Sequence, residues 1–158
     1  MIKKTTLCYI EKNDRFLMLF RNKKKNDPSE GKWVGVGGKF EPGEDSTDCL
    51  MREVYEETGL TLKKYHFHGV VHFISDVLDD EDMYLFTATE YDGDDPAADK
   101  NAFECDEGEL CWIDKHDVLS LNLWEGDRYF LEYLIEGRDF DEMTCIYSGD
   151  RLIRAEQH

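Results

Sequence analysis

Residues 38–60, GKFEPGEDSTDCLMREVYEETGL, constrain this chain more than any other stretch. Read as a helix, the segment places Glu53, Glu56 and Glu57 at i, i+3 and i+4, so three carboxylates share one face. Like charges at those spacings repel, and an isolated helix gains nothing from them. A positive partner must therefore sit against that face, and a cluster of hard oxygen ligands suits Mg²⁺ or Mn²⁺. The other side of the helix carries Cys49, Leu50 and Val54, which is the apolar side expected to face a core. Asp45, with Asp48 three residues on, is placed to cap the helix, and Gly59 to end it.

A chain of 158 residues with 41% apolar composition suits one compact domain, residues 1–158, around a single core. Its formal charge of −17 argues against a DNA or RNA polymer as partner, because a polyanion needs a clustered basic footprint. A small anion bound through a metal is a different case, since the metal supplies the positive charge locally. The acidic runs 76–82 and 92–99 read as solvated loop surface rather than a second metal site. Five cysteines (8, 49, 105, 111 and 145) form no CxxC pair and leave an odd count, which fits a reduced, cytoplasmic protein better than a disulfide scaffold. No signal peptide or membrane-spanning run is expected; the chain is expected as a monomer or homodimer.

Along the chain, 4–11 and 15–21 read as a hairpin turning at Asn13 and Asp14. A polar loop, 23–31, precedes a short strand over 33–37, followed by the paired glycines Gly37 and Gly38. Residues 63–75 and 83–91 read as long strands, and 110–113 as a short one. A helical turn is expected over 114–120 and a second amphipathic helix over 126–136. A final hairpin, 143–147 with 152–153, turns at 148–150. The expected class is α/β: a mixed β-sheet with a helix on each side.

The spacing G-x5-E-x7-R-E-V-Y-E-E-T-G-L, from Gly38 to Leu60, fills every defining position of the Nudix signature, and the chain resembles the Nudix hydrolases. The resemblance implies an α/β/α sandwich that cleaves nucleoside diphosphates linked to another group. It also implies that Glu53, Glu56 and Glu57, joined by the carbonyl of Gly37, hold the divalent metal, and that Arg52 and Glu44 brace the loop against the helix. The chemistry agrees independently. A pyrophosphate linkage repels an attacking water unless metal neutralises it and lowers the water's pKa. Clustered carboxylates bind such metals and keep one another's pKa high without them. Gly37 and Gly38 let the backbone approach metal and phosphate.

Beyond the signature, GKWVGVGGKFEPGE before the helix and CDEGELCWI…LWEGDRYF after it resemble the MutT-type oxidised purine nucleoside triphosphatases, both the bacterial MutX-like branch and the animal sanitising enzymes. That subgroup implies Glu107 as a further metal ligand or base, Trp124 as the aromatic that stacks on the purine, and Asp127 as the carboxylate that reads its edge. It further implies Thr6 and Arg21 as residues lining the same pocket, with Val34, Gly37, Gly38 and Lys39 completing the substrate contacts. A carboxylate suits the donors of a guanine edge, and an aromatic face adds about 1–3 kcal/mol of stacking per base. The chain departs from the animal enzymes in carrying Val34 where an asparagine is usual and Gly126 where a second aspartate is usual.

The expected function is Mg²⁺-dependent hydrolysis of oxidised purine nucleoside triphosphates, chiefly 8-oxo-dGTP, to monophosphate and pyrophosphate. The alternatives are hydrolysis of another nucleoside diphosphate derivative such as ADP-ribose, or a non-catalytic nucleotide-sensing module. His66, His68 and His72 read as alternating with Val70 on one strand face. Two such histidines can bind zinc, but no cysteine or carboxylate stands at a fixed spacing from them, so the face reads as solvent-exposed. Trp33 and Trp112 read as core residues.

Overall fold

The computed structural model describes residues 2–97 and 105–158; Asp99, in the second acidic run, lies outside them. The elements follow in the order β1 (Lys3–Lys12), β2 (Arg15–Arg21), β3 (Trp33–Val34), β4 (Val36–Lys39), α1 (Ser46–Thr58), β5 (Thr61–Ser75), β6 (Glu81–Asp92), β7 (Gly108–Asp114), α2 (Lys115–Val118), α3 (Asp127–Ile135), β8 (Asp141–Ser148) and β9 (Arg151–Gln157). The sheet runs β3-β2-β1-β6-β5-β8-β9, with β4 also paired to β1 and β7 to β2. It is mixed: β1–β6 and β5–β8 are parallel, and the other pairs antiparallel. The expected α/β class holds.

Alternation along the central strands gives two cores, one on each face of the sheet, rather than the single core expected. Cys8, Ile10, Leu17 and Leu19 point with Leu50 and Val54 of α1, whereas Tyr9, Phe16 and Met18 point with Phe130, Leu131 and Leu134 of α3. The α1 helix begins with a capping box in which Asp45 and Asp48 satisfy each other's backbone N–H groups. It stops at Gly59, whose φ of +77° only glycine adopts without strain. No helix among the described residues is long and apolar enough to cross a membrane, and no disulfide joins the cysteines.

Three further expectations need correction. The single strand over 33–37 is two strands broken at Gly35. Trp33 and Trp112 are half-buried on the core margins, with the Trp112 indole N–H donating to Asp95 Oδ1 at 2.9 Å, so neither is fully enclosed. The third concerns the histidines. The β5–β6 register shifts between Phe67/Phe86 and Gly69/Leu85, which leaves His68 as the extra, unpaired residue of a β-bulge. His66 therefore stands opposite Thr87, and His72 opposite Asp82, on alternate faces of β6. His68 is only 3% exposed, against the expected solvent-facing surface.

Candidate active site

The carboxylate helix is tied to the strand before it by two contacts that the sequence spacing implies. Arg52 grips Glu44 with two bonds, Nε to Oε2 at 2.8 Å and Nη2 to Oε1 at 2.9 Å. The same guanidinium reaches Glu53 at 2.8 Å, Glu56 at 3.2 Å and the carbonyl of Lys39 at 3.0 Å. That fork-to-fork pairing holds the Glu44 carboxylate down at about 2, first through the Arg52 bond and then through the N–H of Glu41. Glu57 accepts the Gly37 N–H at 3.0 Å and is only 7% exposed.

Close approach explains both glycines. A Cβ on Gly37 would lie 1.9 Å from the carbonyl oxygen of Thr6, and one on Gly38 would lie 2.5 Å from the Glu53 carboxyl carbon. Strand β4 therefore lies directly against the carboxylate face of α1.

Glu107 joins that face from another direction. The β2–β7 register sets Arg21 opposite Gly108, and a Cβ there would lie 1.9 Å from Phe20 O. This brings Arg21 Nη1 to Glu107 Oε2 at 2.9 Å, while Arg21 Nε binds Asp27 at 2.7 Å. Burial first, then the adjoining Glu107 and Glu53 carboxyls, pushes Glu57 well above the usual carboxylate range. Glu53 is likewise raised, mainly by burial. Burial and the neighbouring carboxyls favour the neutral form of Glu57, and four carboxylates gathered here form a donor set suited to a hard divalent cation. Glu56 is the outlying member, with its side chain 55% exposed.

A cleft of about 480 Å³ continues from this cluster and is lined by Thr6, Arg21, Val34, Gly37, Gly38, Lys39, Glu107, Trp124 and Asp127. Such a volume suits a small-molecule ligand. Of the expected site residues, Arg21 lines the cleft and also binds Glu107 and Asp27, which ties it to the carboxylates. Lys39 is exposed at the rim, and Val34 presents an apolar wall.

At the opposite end, Trp124 packs edge-on to Phe73 and Tyr147, its indole N–H donates to Ser29 Oγ at 2.9 Å, and Lys32 lies over its ring at 5.3 Å. Asp127 begins α3 and is 7% exposed. Burial, reinforced by the negative field of Glu81, pushes its carboxyl up to about 8, which favours the protonated form at neutral pH. Gly126 admits no side chain: a Cβ would lie 2.7 Å from the hydroxyl of Tyr147, which accepts the Gly126 N–H at 2.6 Å. The missing second aspartate is thus excluded by packing.

Sequence reasoning missed Glu81. The run 76–82 was read as solvated loop, yet Glu81 opens β6 and lines the cleft, bound to Lys3 at 3.3 Å and to the Thr5 hydroxyl at 2.8 Å. The available signal was period-two alternation: Glu81 stands two residues before Met83 and four before Leu85, on the same face.

The NUDIX domain family matches residues 1–134. An uncharacterized Nudix hydrolase of Bacillus subtilis is 30% identical over 153 residues, 94% of this chain and 89% of that one. The oxidized purine nucleoside triphosphate hydrolase of Danio rerio is 30% identical over 140 residues, covering 87% of this chain and 83% of the relative. The crystal structure of a mutator MutT protein from Bacillus halodurans superposes with a TM-score of 0.84 at 28% identity, covering 98% of this chain and 97% of that one.

Proposed function

Since the chain belongs to the Nudix hydrolases, we propose that it hydrolyses oxidised purine nucleoside triphosphates, chiefly 8-oxo-dGTP, to the monophosphate and pyrophosphate. The observation that carries this reading is a single cleft lined both by Glu107 and the Gly37–Gly38 strand, which packs on the α1 carboxylates, and by the Trp124–Asp127 pair. The activity for which the Danio rerio relative is named supports it.

Glu53, Glu56, Glu57 and Glu107, with the Gly37 carbonyl, are the groups that would hold Mg²⁺. When bound, the ion neutralises phosphate charge and lowers the pKa of a bound water. The chain's own residues do the rest. Arg52 and Glu44 lock the loop so that Gly37 and Gly38 stay against α1. Arg21 orients Glu107. Water attacks the β-phosphorus, the bond from that phosphorus to the bridging oxygen of the α-phosphate breaks, and the water's proton passes to a carboxylate of the cluster. Gly37, Gly38 and Lys39 line the phosphate path.

At the base end, protonated Asp127 offers one O–H donor and one carbonyl acceptor to a purine edge. Trp124 supplies the aromatic face. Val34 contributes shape but no hydrogen bond, which leaves polar discrimination to Asp127 and Glu81.

The test is a comparison of kcat/KM for dGTP, 8-oxo-dGTP, 2-hydroxy-dATP and ADP-ribose with Mg²⁺. A clear preference for 8-oxo-dGTP over dGTP is expected, and equal values sink the sanitising role. Hydrolysis in ¹⁸O-water should place the label in pyrophosphate; label in the monophosphate refutes attack at the β-phosphorus.

A further inference from the structure

The bulge at His68 has a consequence outside the cleft. His66 and His68 come to the α3 side of the sheet, where the turn between α3 and β8 supplies Asp139, a carboxylate distant in sequence. Its Oδ1 lies 2.7 Å from His66 Nε2 and 3.2 Å from His68 Nδ1. The two rings stand 4.7 Å apart at 80°. All three ligand atoms fall within 4.8 Å of one another.

We propose that His66, His68 and Asp139 form a second, zinc-class metal site that clips β5 to the turn after α3. Zinc bonds of about 2.0–2.1 Å in a tetrahedron set neighbouring ligand atoms about 3.3 Å apart. The Asp139–His68 spacing of 3.2 Å already meets that figure. His66 must move back by about half an ångström to do so, and its side chain is 61% exposed and free to move.

His68 is oriented as a metal-ligating histidine is. Its buried Nε2 lies 2.8 Å from Thr87 Oγ1, the outer contact that fixes ring orientation and tautomer at such sites. Without metal, Nδ1 lies 2.9 Å from the Arg138 carbonyl and donates its proton there. Loading needs a change of tautomer and a swing of the Arg138 carbonyl off the Nδ1 lone-pair axis: the proton leaves Nδ1, Nε2 becomes protonated toward Thr87, and the Nδ1 lone pair takes the ion. No net proton is released by His68. The backbone is held in place as well. Phe140 N–H donates to His68 O at 3.0 Å, and a Cβ on Gly69 would lie 2.7 Å from Asp141 O.

Donor chemistry separates this site from the glutamate cluster on α1. Two imidazoles and one carboxylate favour zinc-like borderline ions, whereas all-oxygen sets favour Mg²⁺. A fourth position remains for water, as in open zinc sites.

The test is calorimetric titration of chelator-treated full-length protein with Zn²⁺ in excess Mg²⁺, alongside thermal unfolding. One equivalent of Zn²⁺ is expected to bind and raise Tm. His66→Ala and Asp139→Asn, both at exposed positions, should each weaken that binding at least about tenfold, and Thr87→Val by about 10–100-fold. Zn²⁺ affinity unchanged in both His66→Ala and Asp139→Asn, or no uptake by the wild type, overturns the proposal. Tetrahedral Co²⁺ absorption bands that vanish in Asp139→Asn would support it independently of activity.

Discussion

Arg21 donates from Nη1 to Glu107 Oε2 at 2.9 Å, which ties a β2 residue to the loop that completes the carboxylate cluster. Arg21 also holds Asp27, so the guanidinium joins the 22–32 loop to Glu107. Lys at this position cannot reproduce the two-sided fork. Arg21→Lys should therefore raise the Mg²⁺ concentration for half-maximal pyrophosphate release by about 10–100-fold, the usual effect of losing an outer partner of a ligand. An unchanged Mg²⁺ dependence would show that Glu107 needs no such support.

Glu57 is buried and raised in pKa, so ionising it without metal opposes folding. Its folded-state pKa lies above the unfolded value, and the metal-free protein loses stability as pH rises through that interval. Glu57→Gln should raise the metal-free Tm at alkaline pH while lowering kcat on the order of 10²–10³-fold. Thermal unfolding in chelator and steady-state kinetics check the two halves separately.

The two glycines of β4 should fail differently. Gly37→Ala drives a methyl into the Thr6 carbonyl, backbone against backbone, and should destabilise the fold by about 1–3 kcal/mol or more. Gly38→Ala meets only the Glu53 carboxylate, a side chain that can swing aside. It should keep near-native stability and lose activity. Denaturant unfolding paired with turnover distinguishes the two.

Asp127, with its carboxyl near 8, should impose an alkaline limb on kcat/KM for 8-oxo-dGTP, since the O–H donor is lost above that pH. Glu81 contributes negative field to that shift, so Glu81→Gln should move the limb to lower pH. Asp127→Asn should abolish it. The stability linkage runs the same way: the folded protein holds this proton more tightly, and stability declines as pH rises from about 4 to about 8. A limb unmoved in both variants would remove Asp127 from base reading.

The site was legible to different depths. Arg52 with Glu44, and Glu57 against Gly37, follow from spacing within one loop and helix, where local geometry leaves little freedom. Glu81 was hidden because a seven-residue acidic run looks like solvated loop until its last residues are placed in a strand. His72 was misplaced for a different reason: the one-residue bulge at His68 reverses the face of the residues after it, and nothing in the local pattern marks it.

The chain's sequence alone determined the capped carboxylate helix, the order of strands and helices, and the presence of a metal-binding signature. These rest on short-range forces: capping, side-chain periodicity and charge repulsion within one helix. Tertiary structure alone decided that Arg21 binds Glu107 as well as lining the cleft, and that Glu81 lies near enough to raise Asp127. It also decided that Asp139 meets His66 and His68 across the α3–β8 turn. Each of these contacts joins residues more than 40 positions apart. Strand register and burial set them, and both exist only once the sheet has closed around its two cores.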